Sequence, residues 1–234
     1  MALPKLENPT YETELPSTNE KIKFRPFLIK EQKLLMIAQE SDDQKEIMDA
    51  MAELINSCTF GKIDAYNSPI FDIEYLFLKI RGKSVGENVK VNVVCPDDKK
   101  TKVAVTINLK DIAIQVDANH SNELKISDDI KIIMKYPILS DITAAESASE
   151  TNKIFNIMNQ CVHEVHDGDT IYHRVDMSDS DLTEFVDSFT GNQFEMVTQF
   201  FETMPKLRHA VNVTNPKTKV KSEVLIEGLE AFLA

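Results

Sequence analysis

The stretch of this chain that most resembles reactive chemistry is His163-Glu164-Val165-His166. Imidazoles and carboxylates bind zinc and move protons, and a zinc-protease helix carries two His four residues apart on one face with the Glu between them. Here the two His are three apart, and His173, Asp167 and Asp169 would have to supply further ligands. A metal-dependent hydrolase using His163 and His166 is therefore one reading. The better-supported alternative needs no metal, because His residues near the end of a helix are favoured by its dipole. Cys58 and Cys161 fall on apolar helical faces, where a thiol packs and is inert. Six glycines form no phosphate-binding loop or dinucleotide fingerprint. No catalytic residue is assigned, and the chain is not expected to be an enzyme.

Two other segments share a frame. Cys95-Pro96-Asp97-Asp98 reads as a zinc knuckle, Cys-Pro-x-Cys, with Asp98 in place of the second thiol, and Asn215-Pro216-Lys217-Thr218 repeats the frame with no thiol. One thiolate cannot hold structural zinc, so no metal and no cofactor is expected. Lys99, Lys100 and Lys102 surround the first tip and Lys217, Lys219 and Lys221 the second. Two basic tips on an acidic chain are candidate partner-binding points, although lysines at turns also serve simply to block edge pairing.

Composition narrows the class. The 234 residues are 42% hydrophobic and 27% charged, which fits a folded protein. With 26 Lys and Arg against 38 Asp and Glu, the net charge of −12 repels a phosphate backbone, so nucleic-acid binding through the lysine tips is disfavoured. No stretch approaches the roughly 18 apolar residues of a membrane span, and the polar, Pro-punctuated start lacks a signal peptide's apolar core. Three widely spaced cysteines form no disulfide framework. The expectation is an intracellular protein with no membrane span.

The pattern of apolar residues then gives the elements. Alternation over 10–15 and 21–25, with Pro16, Ser17, Thr18 and Asn19 between, predicts a hairpin. Leu34, Leu35 and Ala38 predict a helix, and Ser41 with Asp42 offers a cap for a second one carrying Ile47, Met48, Met51, Leu54, Ile55 and Cys58. A third, begun by Ser68-Pro69, is expected to end before Gly82. Val89, Val91 and Val93 pair with Val103, Val105 and Ile107 as a second hairpin, and residues 117–122 are the best linker candidate. Beyond a strand over Ile130–Met134, a long helix is expected to carry Ile154, Ile157, Met158, Cys161, Val162 and Val165 on one face. Helices from Ser178 and on Phe194, Val197, Phe201 and Met204 follow, then a hairpin around Pro216 and a terminal helix on Leu229, Phe232 and Leu233. Phe200 falls off the stripe of its helix, which leaves it either partly exposed for a partner or packed under the preceding helix.

These elements fall into two similar halves, 1–117 and 118–234, each with strands, about three helices and a closing, degenerate zinc-ribbon-like β-hairpin. The fold class is α+β. Val91, Asn92, Val93, Pro96, Lys99 and Leu109 recur 120 positions later as Val211, Asn212, Val213, Pro216, Lys219 and Leu229. That offset predicts an internal duplication whose two hairpin tips project as equivalent docking elements.

Five segments also resemble a known family as a set: KFRPFLIKEQKLLM from residue 23, PIFDIEYLFLKIRGKSVGE from 69, DDIKIIMKYP from 128, FETMPKLRH from 201 and EGLEAF from 227. They are similar to the baseplate hub subunits, also described as hub assembly proteins, of T4-like contractile-tailed phages. The likeness spans nearly the whole chain, with Pro69 to Glu87 the most specific piece. It implies a non-enzymatic structural or chaperone-like role in building the central hub, with other hub and hub-assembly proteins as partners. It further implies a place in the host cytoplasm during tail assembly, and leaves open two fates, retention in the virion baseplate or departure once assembly is complete. Some relatives in that family carry Cys-Pro-x-Cys at one or both hairpin tips, a pattern from which this chain departs at Asp98, Asn215 and Thr218.

Overall fold

The computed structural model of the chain describes residues 6–41, 43–145 and 149–228. In chain order these form β1 (Tyr11–Glu14), β2 (Lys21–Phe24), α1 (Ile29–Ser41), α2 (Gln44–Cys58), α3 (Ile70–Val85), β3 (Asn88–Val94), β4 (Lys102–Asn108), β5 (Ala113–Gln115), β6 (Glu123–Lys125) and β7 (Ile130–Met134). There follow α4 (Leu139–Ala145), α5 (Glu150–Cys161), β8 (Val162–Asp167), β9 (Thr170–His173), a 3-10 turn over Arg174–Asp176, α6 (Asp179–Asp187), α7 (Gly191–Thr203), β10 (Lys206–Thr214) and β11 (Lys221–Glu227). The fold is α+β, with small antiparallel sheets. The expected terminal helix on Leu229, Phe232 and Leu233 lies outside the described residues, as does Asp42.

Two compact units result, and they are not the consecutive halves 1–117 and 118–234. Unit one takes the chain up to Gln115 together with everything from Lys206 onward, and unit two is Val116–Pro205. The reason lies in backbone pairing. β10 bonds antiparallel both to β11 and to β5, with Lys206 opposite Gln115 and Leu207 opposite Ile114, so the last hairpin belongs with the first part of the chain. The expected linker also changes status. In residues 117–122, the Asp117 amide donates to the Thr203 carbonyl, and His120 sits between Thr203 and Tyr136, which makes the segment an integral part of unit two.

Unit one is organised around α2 and α3. The Asp43 carboxylate caps α2 by accepting from the Lys45 and Glu46 amides; α1 runs through Ser41, so the cap falls one residue beyond the expected Ser41-Asp42. Leu54, Ile55, Leu76 and Ile80 are completely buried, each worth about 2 kcal/mol against exposure. Helix α3 continues through Gly82 and stops only where Gly86 adopts φ +109°. A glycine inside a well-packed helix costs too little to end it.

A buried ion pair fastens α1 to this core. Arg25 reaches Glu31 at 2.8 Å and Ser57 at 2.9 Å, Ser57 also donates to Glu31, and the other Glu31 oxygen accepts from the Leu28 amide at 2.7 Å. Burial works against the Glu31 carboxylate, but Arg25, the Leu28 amide and Ser57 outweigh it and hold its pKa down at about 2.

In unit two a four-stranded antiparallel sheet, β6-β7-β8-β9, lies with α4 to α7 around a core that includes Ile132, Met134, Met158, Cys161, Leu182, Val197 and Phe200. The sequence expectation of one helix through Val165 fails here. Helix α5 ends at Cys161, and Val162–Asp167 is a strand paired to β7. Ile133 opposes Glu164 and Met134 opposes Val162, which leaves His163 as the extra residue of a β-bulge. The bulge lets Val162 and Val165, three apart, both point inward. Three-residue spacing of apolar side chains thereby imitated a helix. Ser178 and Asp181 close the capping box that starts α6 as anticipated.

Replacing Glu31 by Ala should lower the stability of the chain by about 3 kcal/mol in urea titration, because Arg25 is left buried without its partner. Since the folded pKa lies below the ordinary 4.5, the stabilisation is present above that value and is lost as pH falls toward about 2. The wild-type chain should therefore lose its advantage over E31A across that acid window.

Candidate functional site

The three hairpins of unit one end in the same turn. In Leu15-Pro16-Ser17-Thr18-Asn19, Cys95-Pro96-Asp97-Asp98-Lys99 and Asn215-Pro216-Lys217-Thr218-Lys219, the fifth residue is left-handed, with φ of +58°, +53° and +65°. Its amide donates to the carbonyl of the first residue at 2.8, 2.9 and 2.9 Å. A non-glycine residue in this region costs about 1 kcal/mol, so the turn persists because its surroundings hold it. The first residue of each is buried. Proline fits the second position because it needs no amide there and fixes φ. The sequence shows two such knuckles at once through their Cys and Asn; the first, at Leu15, was legible only as Pro followed three residues later by Asn, a residue tolerant of the left-handed region.

Side chains then secure each tip. The first docks on α3, where the buried Asp72 carboxylate accepts from the Ser17 amide at 3.0 Å and from the Ser17 hydroxyl. Burial pushes the Asp72 pKa up, and the Ser17 bonds pull it back only in part. The second and third tips dock on each other. Asn215 Nδ2 donates to both Asp97 oxygens at 3.0 Å, and Thr218 Oγ1 donates to Asp97 as well. These bonds, Thr218 foremost, lower the Asp97 pKa. Asn215, 1% exposed, uses its carbonyl oxygen to accept from the Lys217 and Thr218 amides, so its buried amide group is satisfied at both ends. Within the second tip, Asp98 accepts from the Thr101 hydroxyl at 2.5 Å and from the Lys100 and Thr101 amides, which holds its pKa well below the usual carboxylate range.

The second and third tips thus share a turn with the first, and the sequence offset that relates them to each other is inexact beyond it. The 120-residue offset holds up to Lys99 and Lys219, but Cys95 closes its loop on Thr101 whereas Asn215 closes on Val220, so the return strands match at 119. The extra residue is accommodated where Asp98 gathers two successive amides. The two tips also do not project as separate outward elements. They meet, which brings exposed Lys99, Lys100, Lys102, Lys217, Lys219 and Lys221 around a single junction.

The four positions of the paired knuckle frames hold one thiol, one carboxylate, one amide and one hydroxyl. Burial and the neighbouring Asp97 and Asp98 push the Cys95 thiol pKa up, away from the thiolate that zinc needs. Among the described residues no group of three or more His, Cys, Asp or Glu side chains is placed to hold a metal ion. The His cluster is likewise turned inward on itself. Glu164 accepts from His166 Nε2 at 2.8 Å, with His173 Nδ1 at 3.2 Å and His163 Nε2 at 3.9 Å. The His166 hydrogen bond is the main cause of the lowered Glu164 pKa. The two His of the hydrolase reading lie on a bulged strand, not on one helical face, and the intervening Glu accepts from His166.

Phe200 is buried in the core of unit two rather than exposed. It is 1% exposed and packs with Phe201, Tyr136 and His120, ring centroids 5.1, 5.9 and 5.2 Å away. The buried face of α7 is centred on Val197 and Phe200, three apart, while Phe194 and Phe201 border the core from either side.

The model of the T4 bacteriophage base plate protein family matches residues 8–234. The chain belongs to that family. Its members' setting makes this a structural protein of the phage tail baseplate, with other baseplate proteins as its partners. No curated protein and no solved structure matches the chain. Among the described residues of this base plate protein, no helix is long and apolar enough to cross a membrane.

Substituting Asp97 by Ala should lower stability, since it leaves the buried Asn215 amide without its acceptor. Thermal melting should register the loss, and a chelator should leave the wild-type midpoint unchanged; a chelator-induced drop would mean that metal holds the tips. Phe200→Ser should lower stability by about 3–5 kcal/mol in urea titration, whereas an exposed contact residue would leave it unaltered.

Proposed function

We propose that this base plate protein is a structural or chaperone-like assembly component of the central hub, acting by binding other hub and hub-assembly proteins. The observation that carries this reading is the family match over nearly the whole chain, sharpened by the resemblance of five separate segments to hub subunits. An acidic chain with its thiols buried and its His cluster spent on Glu164 suits such a role. On this reading it acts in the host cytoplasm while the tail is built. The lysines around the joined tips are the docking points for acidic partners, and as exposed charges they act on the rate of association more than on final affinity.

Quantitative proteomics of purified virions beside infected-cell lysate tests the reading. A few copies per particle identify a hub subunit, and presence in tail intermediates but not in virions identifies an assembly factor. Absence from both refutes a hub role. Charge reversal at Lys99 and Lys219 should slow partner capture in a salt-dependent way while leaving the melting temperature unchanged.

A further inference from the structure

Helix α1 carries more apolar surface than unit one covers. Of its residues only Glu31 and Ala38 are buried, while Ile29, Met36 and Ile37 are 79%, 53% and 53% exposed. These three stand at positions 0, 7 and 8 of the helix and so share a face. A helix with apolar residues on more than one side is built for burial on more than one side. Beside it lies an open groove of roughly 730 Å³ between α1, α2 and the loop 61–66, floored by Leu34, Ala50 and Ile63.

The rim of this groove has one sign. Glu46, Asp49, Glu53 and Asp64 line it, with Lys62 as the opposing charge. Asp49 accepts from the Tyr66 hydroxyl at 2.8 Å and Asp64 from Asn67, but these are neutral donors. Among the described residues no ion pair is made by any of the four. Glu46, Asp49 and Glu53 are spaced three and four apart, so they stack on one face of α2, where like charges oppose helix formation.

We propose that this groove is the docking site for a basic amphipathic helix of another baseplate protein. The partner's apolar stripe would cover Ile37 and the floor, and its Lys or Arg residues would answer the carboxylates. A helix fits better than an extended strand because the carboxylates recur about once per turn, the interval at which a helix repeats its own side chains. The small side chain of Ala50 on the floor lets a helix axis approach closely. This inference rests on the proposed protein-binding role and names the surface that performs it.

The test uses the purified full chain and a fluorescent helical peptide of Leu and Lys, with its Leu and Glu counterpart as control. The double variant E46K/E53K should weaken binding of the Lys peptide by about tenfold, and Ile37→Ser should weaken it too. The remote variant D169K/E184K, which changes net charge equally, should leave it within about twofold. Melting of E46K/E53K should stay close to that of the wild type, since relief of like-charge repulsion on α2 offsets the loss of an acidic residue from its first turn. Equal weakening by both double variants, or equal binding of the two peptides, overturns the proposal in favour of unspecific charge attraction. So does self-association of the chain in sedimentation that E46K/E53K abolishes, which would make a second copy the occupant. Failure of the peptide assay leaves the virion measurement intact, and absence from virions and intermediates leaves the groove measurement intact, so the two readings fail separately.

Discussion

The short pairing of β5 with β10 constrains everything else in the chain. Gln115 and Lys206 are register partners, so the two ends of the Val116–Pro205 unit leave and re-enter unit one on adjacent strands. An insertion whose ends meet can be long at little cost, because loop-closure entropy grows only as the logarithm of length. It can also fold on its own core, and the buried cluster around Ile132, Cys161, Leu182 and Phe200 supplies one. With β10 tied to β5, the third hairpin is brought back to the first two, and its tip can reach Asp97.

That encounter is held by hydrogen bonds. In a zinc ribbon, two knuckles are held together by the ion they share, and the energy of coordination is the energy of folding. Here one carboxylate serves both tips, accepting from Asn215 and Thr218 across the junction, while Asp98 ties its own turn. Hydrogen bonds to a charged acceptor are stronger than neutral ones but far weaker than zinc coordination. The valine-rich strands behind the tips therefore carry more of the load, with Val89, Val91, Val93, Val211 and Val213 all buried.

The His163–His166 segment shows how the same residue spacing changes meaning with secondary structure. On a helix, positions three apart lie on one face. On a strand they would face opposite sides, except that a bulge at His163 restores Val162 and Val165 to the same side. Glu164 then meets His166 on its own strand and His173 directly opposite on β9. The carboxylate collects the imidazoles, and the apolar side of the same strand faces the core.

The sequence by itself determined the family, the α+β class and most element positions, because these depend on local quantities. Apolar periodicity marked α2 and α3, Ser178 marked the start of α6, and Pro with a left-handed residue marked the knuckles. Its errors have a common cause. The extent of α5 and the path of β10 depend on strand pairing between residues far apart, Met134 with Val162 and Lys206 with Gln115, and nothing within either segment encodes its partner. The burial of Phe200 likewise depends on Tyr136 and His120 arriving over its ring. At the candidate sites, the residue types were readable and their juxtaposition was not. Two tips 120 residues apart meet only because the pairing of a third strand returns the chain to its own beginning, and a groove rimmed by Glu46, Asp49 and Glu53 exists only once α1 and α2 are packed side by side.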